Sequence, residues 1–301
     1  MEKRRFGRTG IDVGVLGFGA AEIGYEQASP VTVDRMLGIA VDAGVNVIDT
    51  AECYGASEAL LGQSMGHRRS SFYLFTKCGH SSGFDLPDWH PELLRRSIDR
   101  SLERLQTDYV DVINLHSPPL DILQRGEAIG VLEEARAAGK TRWIGCSNDG
   151  DAARYAIECG AFDVLETTVN IADQEAISLT LPLAHTASIG VIAKRPIANA
   201  AFCFSARADV GPYSQVYWDR LRELDYDFLK SGETQDHVLQ ALGYTLAQPG
   251  LHVAIVGTKS ADRWRQNATT AASMSPLPAA EIRAIRDRWT AIASASWIGQ
   301  R

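Results

Sequence analysis

The sequence predicts an α/β fold, a single-domain closed (β/α)8 barrel. Short apolar runs rich in β-branched residues recur eight times, helical patterns separate most of them, and the eight units fill about 260 residues, close to the ~250 that such a barrel takes as one domain. Strand followed by helix, repeated, means parallel strands. The runs are DVGVLGFGA (12–20), VNVIDT (45–50), FYLFTK (72–77), YVDVINLH (109–116), TRWIGCSN (141–148), FDVLETTVN (162–170), IGVIAK (189–194) and HVAIVG (252–257).

Between them, residues 32–44 read as a helix ending on Gly44, a residue suited to a C-cap, and residues 90–105 as one opening with Pro91. Residues 122–138, 151–159, 175–187, 234–247 and 261–272 repeat apolar positions at helical spacing. The connection 196–233 is far longer than the ~2–6 residues usual in α/β loops and carries Phe202, Phe204, Tyr213, Tyr217 and Trp218. It is expected either to cover the active face or to pack on itself. No linker and no internal repeat interrupts the chain, so one domain spanning 1–301 is expected.

Composition narrows the partners. A chain of 301 residues, 45% hydrophobic and 22% charged, can bury a large core, and a net charge of −7 gives no basic footprint for nucleic acid. No apolar run follows the charged MEKRRFGRTG start and none reaches the length of a membrane span, so a cytoplasmic protein with a small-molecule partner is expected. Five scattered cysteines without a CxxC pair argue against a disulfide framework and a zinc site.

In a barrel, chemistry gathers where strands end. Asp49 closes the second run, Lys77 the third and His116 the fourth, and Tyr54 lies just beyond Asp49. A buried lysine and acid are costly unless paired, so these residues should converge on one mouth. No HxH, HExxH or G-x-S-x-G is present, which leaves proton transfer. A phenol is a poor proton relay at neutral pH unless a nearby cation stabilises the phenolate, as Lys77 would, with Asp49 holding that lysine. His116 can donate to a substrate oxygen. Such a set can protonate an alkoxide forming on a carbonyl but supplies no hydride, so an organic cofactor is required.

These motifs, with GKTRWIGCSN and IVGTKSADRWRQN in the right order, make the chain similar to the aldo-keto reductases along nearly its whole length. The resemblance implies a nicotinamide cofactor across the barrel mouth, Tyr54 as general acid assisted by Lys77 and Asp49, and His116 orienting the carbonyl. It further implies Ser147 and Asn148 at the carboxamide, Gly19 and Ala20 near the cofactor, and Gly257, Thr258, Lys259, Ser260, Arg263 and Asn267 around its phosphate and adenine. Lys259 and Arg263 suit a 2′-phosphate, so NADP(H) is preferred, with NAD(H) possible. Glu166 stands where the family has a carboxamide-binding glutamine; it can accept but not donate. Lys194 and Arg195 replace the aromatic that stacks on the nicotinamide, and either suits a phosphate or an anionic substrate.

The expected activity is therefore reduction of an aldehyde or ketone, or oxidation of a sugar or polyol in reverse. Two other readings compete: a Schiff-base lyase using Lys77, and a cofactor-binding accessory protein with little turnover. Trp89, Trp218 and Trp297 are candidate pocket walls, or residues packed against helices.

Overall fold

Alternation along each barrel strand turns every second side chain inward, so a strand that starts apolar inside can end polar inside only by changing residue type on the same face. The computed structural model, which describes residues 1–300, contains that arrangement. A short hairpin, β1 (Lys3–Arg5) and β2 (Asp12–Gly14), precedes the barrel strands β3 (Leu16–Gly19), β4 (Val47–Asp49), β5 (Tyr73–Cys78) and β6 (Val110–His116). They continue as β7 (Thr141–Ser147), β8 (Val164–Thr168), β9 (Gly190–Lys194) and β10 (Val253–Gly257). The last eight pair in chain order, all parallel, and β10 closes on β3 with Gly257 opposite Gly19.

The lower interior is an apolar plug of Val47, Phe75, Val112, Val164, Ile192 and Val253, joined by Phe6, Ile11 and Val13 from the hairpin. Two residues further along the same faces stand Asp49, Lys77, Asn114, Glu166 and Lys194. The lower interior supplies cohesion and the upper interior supplies the site.

All eight expected barrel strands are present, but the 12–20 run is two elements. Asp12–Gly14 pairs antiparallel with Lys3–Arg5, and the barrel strand begins only at Leu16. Continuous apolar alternation conceals the change of partner. The hairpin caps the barrel floor: Phe6 is fully buried and stacks on Phe75 with ring centroids 5.8 Å apart.

The helices follow local rules. Pro30–Asp42 starts on Ser29, whose hydroxyl accepts from the Thr32 amide at 3.1 Å. Pro91–Leu105 has proline in its first turn, buries Leu93, Leu94, Ile98 and Leu105, and stops where Gln106 turns left-handed at φ 52°. The expected 122–138 helix is broken into Leu120–Arg125 and Glu127–Ala137 by Gly126 at φ 78°. The 175–187 helix is likewise two pieces, Glu175–Leu179 and Leu181–Thr186, the second carrying Pro182 in its first turn, where its missing N–H costs nothing.

The 196–233 connection contains a helix, Gln215–Leu224, whose Tyr217, Leu221 and Leu224 form a second core with Tyr226, Tyr244, Ile285 and Trp289. Its second half thus packs against the later helices that carry Tyr244, Ile285 and Trp289 rather than only on itself. Its first half reaches the mouth, where the Tyr213 hydroxyl accepts from Arg195 Nε at 2.7 Å. Among the described residues no helix is long and apolar enough to cross a membrane.

Candidate active site

The upper interior is organised around Lys77. Its ammonium donates to Asp49 Oδ2 at 2.5 Å and to the Thr50 carbonyl at 3.1 Å, and lies 3.2 Å from Glu166 Oε2. All three charged side chains are buried. Burial alone would drive the ammonium toward neutrality, but the facing carboxylates of Asp49 and Glu166 outweigh it and raise its pKa well above the ordinary value. Burial and then Glu166 push the Asp49 carboxyl strongly up, against the pull of Lys77. Two acids around one ammonium leave acceptor capacity unused: Asp49 Oδ1 is buried without a hydrogen-bond partner, and Glu166 Oε2 meets the ammonium as an ion pair without an aligned hydrogen bond. Glu166, expected at a carboxamide, is therefore also a second counter-ion of the lysine.

Tyr54 sits on the turn after β4, its amide donating to the Ala51 carbonyl at 3.0 Å. That turn packs against the helix Ala21–Tyr25, where a Cβ on Gly24 would stand 2.0 Å from the Tyr54 carbonyl, so only glycine admits the approach. Lys77 Nζ lies 5.3 Å from the centre of the Tyr54 ring, and the His116 ring meets Tyr54 edge-on at 5.8 Å between centroids. The four residues expected to act together do share one mouth.

One expectation needs correction. Lys77 does act to make the Tyr54 phenol more acidic, but burial is the larger influence and, with Asp49 and Glu166, leaves its pKa raised. The phenol therefore keeps its proton at neutral pH. His116 is pushed the other way, well below the ordinary histidine value, by burial first and then by Lys77 and its cationic neighbours. It is a neutral ring with one N–H to donate.

Around this centre the remaining residues divide. Ser147 is buried at the end of β7, with Lys194 Nζ 3.5 Å from its hydroxyl. Asn148 is already engaged at both ends, donating to the Pro118 carbonyl at 2.6 Å and accepting from the Asp149 amide at 3.0 Å. Lys194 pairs with Asp149 at 3.1 Å, and Arg195 donates to Thr168 Oγ1 at 2.6 Å. Burial opposes the ionisation of Asp149, yet Lys194 and Arg195 hold its carboxyl below the usual value. The two cations that replace the expected aromatic are thus anchored to a buried acid.

Gly19 and Ala20 lie where β3 ends beside β4, the Ala20 amide donating to the Asp49 carbonyl at 2.8 Å. Opposite them, the helix Ala261–Ser273 is capped by Ser260, whose hydroxyl accepts from the Arg263 amide at 3.3 Å, while Thr258 Oγ1 accepts from the Ser260 amide at 3.1 Å. Asn267 is buried on the same helix. Lys259 is ion-paired with Glu26, whereas the Arg263 side chain makes no hydrogen bond or ion pair among the described residues. The Glu22 carboxylate fills the space a Cβ on Gly257 would take, and its Oε2 is buried without a partner. A capped helix start, an uncommitted guanidinium and an unfilled acceptor fit the phosphates and ribose of a dinucleotide.

Of the three tryptophans, Trp89 reaches the mouth, its indole donating to the His116 carbonyl at 3.0 Å. Trp218 donates to the Phe204 carbonyl under Arg222, and Trp297 packs on Trp289 in the second core. Sequence reading missed Asn114, Glu22, Glu26, Cys53 and His80. Asn114 alone carried a signal, since it follows Val112 on the same inward period of β6. The others stand on turns or a short helix whose path sequence spacing does not reveal.

The chain is similar to known proteins along most of its length. Residues 15–289 match the model of the Aldo/keto reductase family. L-Galactose dehydrogenase from Arabidopsis thaliana is 29% identical over 92% of this chain and 90% of its own. The NADH-specific methylglyoxal reductase of Escherichia coli is 30% identical over 70% of this chain and 72% of its own. An aldo-keto reductase structure from Bacillus halodurans, in its holo form, superposes with a TM-score of 0.81 at 24% identity, covering 98% of this chain and 99% of that one. With the family model spanning the barrel from its first strand to its last helix, this chain is a member of the aldo/keto reductase family of oxidoreductases.

Proposed function

We propose that the protein reduces the carbonyl of an aldehyde or ketone, or oxidises a sugar or polyol in the reverse direction, using a nicotinamide dinucleotide with NADP(H) preferred over NAD(H). The observation that carries this reading is the single cluster of Tyr54, Lys77, Asp49 and His116 at the barrel mouth, with Lys77 held between two carboxylates. The dinucleotide, when bound, supplies the hydride that no side chain can provide.

The side chains then divide the proton work. The neutral His116 donates its N–H to the carbonyl oxygen and fixes its direction. As that oxygen becomes basic, Tyr54 gives it a proton. The raised phenol pKa ensures the proton is present, and the nearby ammonium stabilises the phenolate left behind. Asp49 and Glu166 keep Lys77 charged throughout. In the oxidative direction the same phenolate accepts the alcohol proton. Gly257, Thr258, Ser260, Arg263 and Asn267 would hold the adenosine end, and Ser147 and Asn148 the carboxamide, the latter by exchanging one of its present partners.

The same geometry weighs against a Schiff-base lyase, which needs an amine of depressed pKa; the Lys77 pKa is raised. A sugar or related hydroxy-aldehyde is a reasonable substrate class, given an L-galactose dehydrogenase among the relatives. The test is Tyr54→Phe assayed on a panel of carbonyls and sugars by nicotinamide absorbance. Turnover should fall by ~10²–10⁴-fold, the usual worth of a positioned acid, while dinucleotide affinity stays within a few fold. Loss of both together would make the tyrosine structural, and tight binding without turnover on any substrate would favour the accessory role.

A further inference from the structure

The ends of three adjacent strands, with the loops that follow two of them, bring a thiol and two imidazoles together beside Tyr54. Cys53 follows β4, His80 follows β5 and His116 ends β6. Cys53 Sγ lies 3.4 Å from His116 Nδ1, and the rings of His80 and His116 meet at 4.7 Å between centroids. One ligating atom from each of the three lies within 4.8 Å of the others.

Those distances suit a metal. Around a tetrahedral zinc ion with bonds of ~2.3 Å to sulfur and ~2.0–2.1 Å to nitrogen, neighbouring ligand atoms stand about 3.3–3.6 Å apart. The Cys53–His116 edge already has that length, and the His80 nitrogen, within 4.8 Å of the other two ligand atoms, would move in to complete the set. Behind His80, Asp88 Oδ2 lies 3.1 Å from Nδ1, and Asp88 Oδ1 accepts from the Ser81 amide at 2.7 Å. A carboxylate behind a ligating imidazole fixes its tautomer and leaves Nε2 for the ion. The donor set of one sulfur and two nitrogens excludes the oxygen-seeking magnesium and calcium and suits zinc. The ammonium of Lys77, which bears on both Cys53 and His116, is offset by Asp49 and Glu166. All three ligands remain partly accessible, so an ion can enter from the mouth.

We propose that Cys53, His80 and His116 bind a zinc-class divalent cation, and that its occupancy inhibits carbonyl turnover by filling the mouth beside Tyr54 and His116 where the substrate carbonyl must sit. On binding, the Cys53 thiol releases its proton to solvent and no electron is transferred. The metal site stands on its own geometry; only the inhibition rests on the reductase reading.

The experiment uses tag-free, full-length protein with Zn²⁺ in equilibrium dialysis and Co²⁺ as an optical probe. About one ion should bind per chain, and the Co²⁺ form should have a thiolate charge-transfer band and the intense visible bands of four-coordination. Cys53→Ser should abolish the charge-transfer band, and Cys53→Ser and His80→Ala should each weaken Zn²⁺ binding by at least ~10-fold. Zn²⁺ should inhibit the wild type, with at least ~10-fold more needed in either variant. Absence of stoichiometric uptake, or a charge-transfer band that survives Cys53→Ser, overturns the site. Unchanged inhibition in both variants shows that the ion acts elsewhere, and binding without loss of turnover overturns the inhibitory role. Should the protein turn over no carbonyl, the dialysis and optical results still decide the metal site independently.

Discussion

In the proposed dinucleotide site, Arg263 and Glu26 would act on the adenosine end in opposite senses. Arg263 is exposed and uncommitted on the first turn of its helix, whereas Lys259 beside it is ion-paired with Glu26. A charge-assisted contact from arginine to a 2′-phosphate is worth about 1.5–3 kcal/mol, while an exposed acid–base pair is worth only ~0.2–1 kcal/mol. The guanidinium should therefore set the preference and the carboxylate should narrow it. Arg263→Leu is expected to weaken NADPH by ~10–100-fold and NADH by much less, and Glu26→Gln to tighten NADPH by up to ~5-fold. Fluorescence titration of both dinucleotides checks this, and equal losses for the two would remove the 2′-phosphate role. Asp49, Lys77 and His116 were legible because strand period carries apolar inward positions directly into them, and Tyr54 because it sits one turn beyond. Glu26 was not legible, because it lies just past a five-residue helix whose direction comes only from packing against the Tyr54 turn.

Elements tell the same story of local rules and hidden partners. Strand existence was readable from apolar runs, but the division at Val15, the break at Gly126 and the helix inside the long connection depend on what each segment packs against. The seam between β9 and β10 is a further case. It has only two register pairs, Val253 with Ile192 and Ala254 with Ala193, and His252 extends it. The His252 amide donates to the Val191 carbonyl at 3.1 Å, and the Val191 amide donates to His252 Nδ1 at 3.0 Å. That nitrogen can accept only while unprotonated. Burial first, then Arg4 and His185, lower the ring from 6.5 to about 4. Between those values the unfolded chain binds a proton that the folded chain refuses, so this contribution is present above pH 6.5 and is lost as pH falls through about 4. His252→Asn, which keeps an acceptor but cannot titrate, should lose less stability over that window, by on the order of 1 kcal/mol given the ring's partial exposure. Urea unfolding at several pH values would measure it, and parallel curves for the two proteins would dismiss the role.

Across the whole molecule, cohesion and chemistry occupy opposite ends of one barrel. The floor is sealed by Phe6, which stacks on Phe75 and meets His252 edge-on at 5.7 Å. A Cβ on Gly190 would lie 2.9 Å from the Phe6 ring, so β9 is bare where the plug inserts. Above this floor, β5 carries Phe75 and, two residues later, Lys77; β4 carries Val47 and then Asp49. This apolar layer separates the hairpin from the proposed proton machinery, and stability and turnover should respond separately to damage at the floor. Phe6→Ala leaves a cavity that the hairpin cannot readily collapse into, because β1 and β2 are pinned together at Lys3–Gly14 and Arg5–Asp12. The expected loss is ~3–5 kcal/mol of stability. At a temperature where the variant is still folded, kcat and dinucleotide affinity should remain within a few fold of the parent. Urea denaturation paired with steady-state kinetics on the same preparation makes the comparison. A fall in kcat with unfolding unchanged would mean that the floor positions the site rather than merely supporting it, through contacts such as the stack of Phe6 on Phe75, two residues before Lys77 on β5.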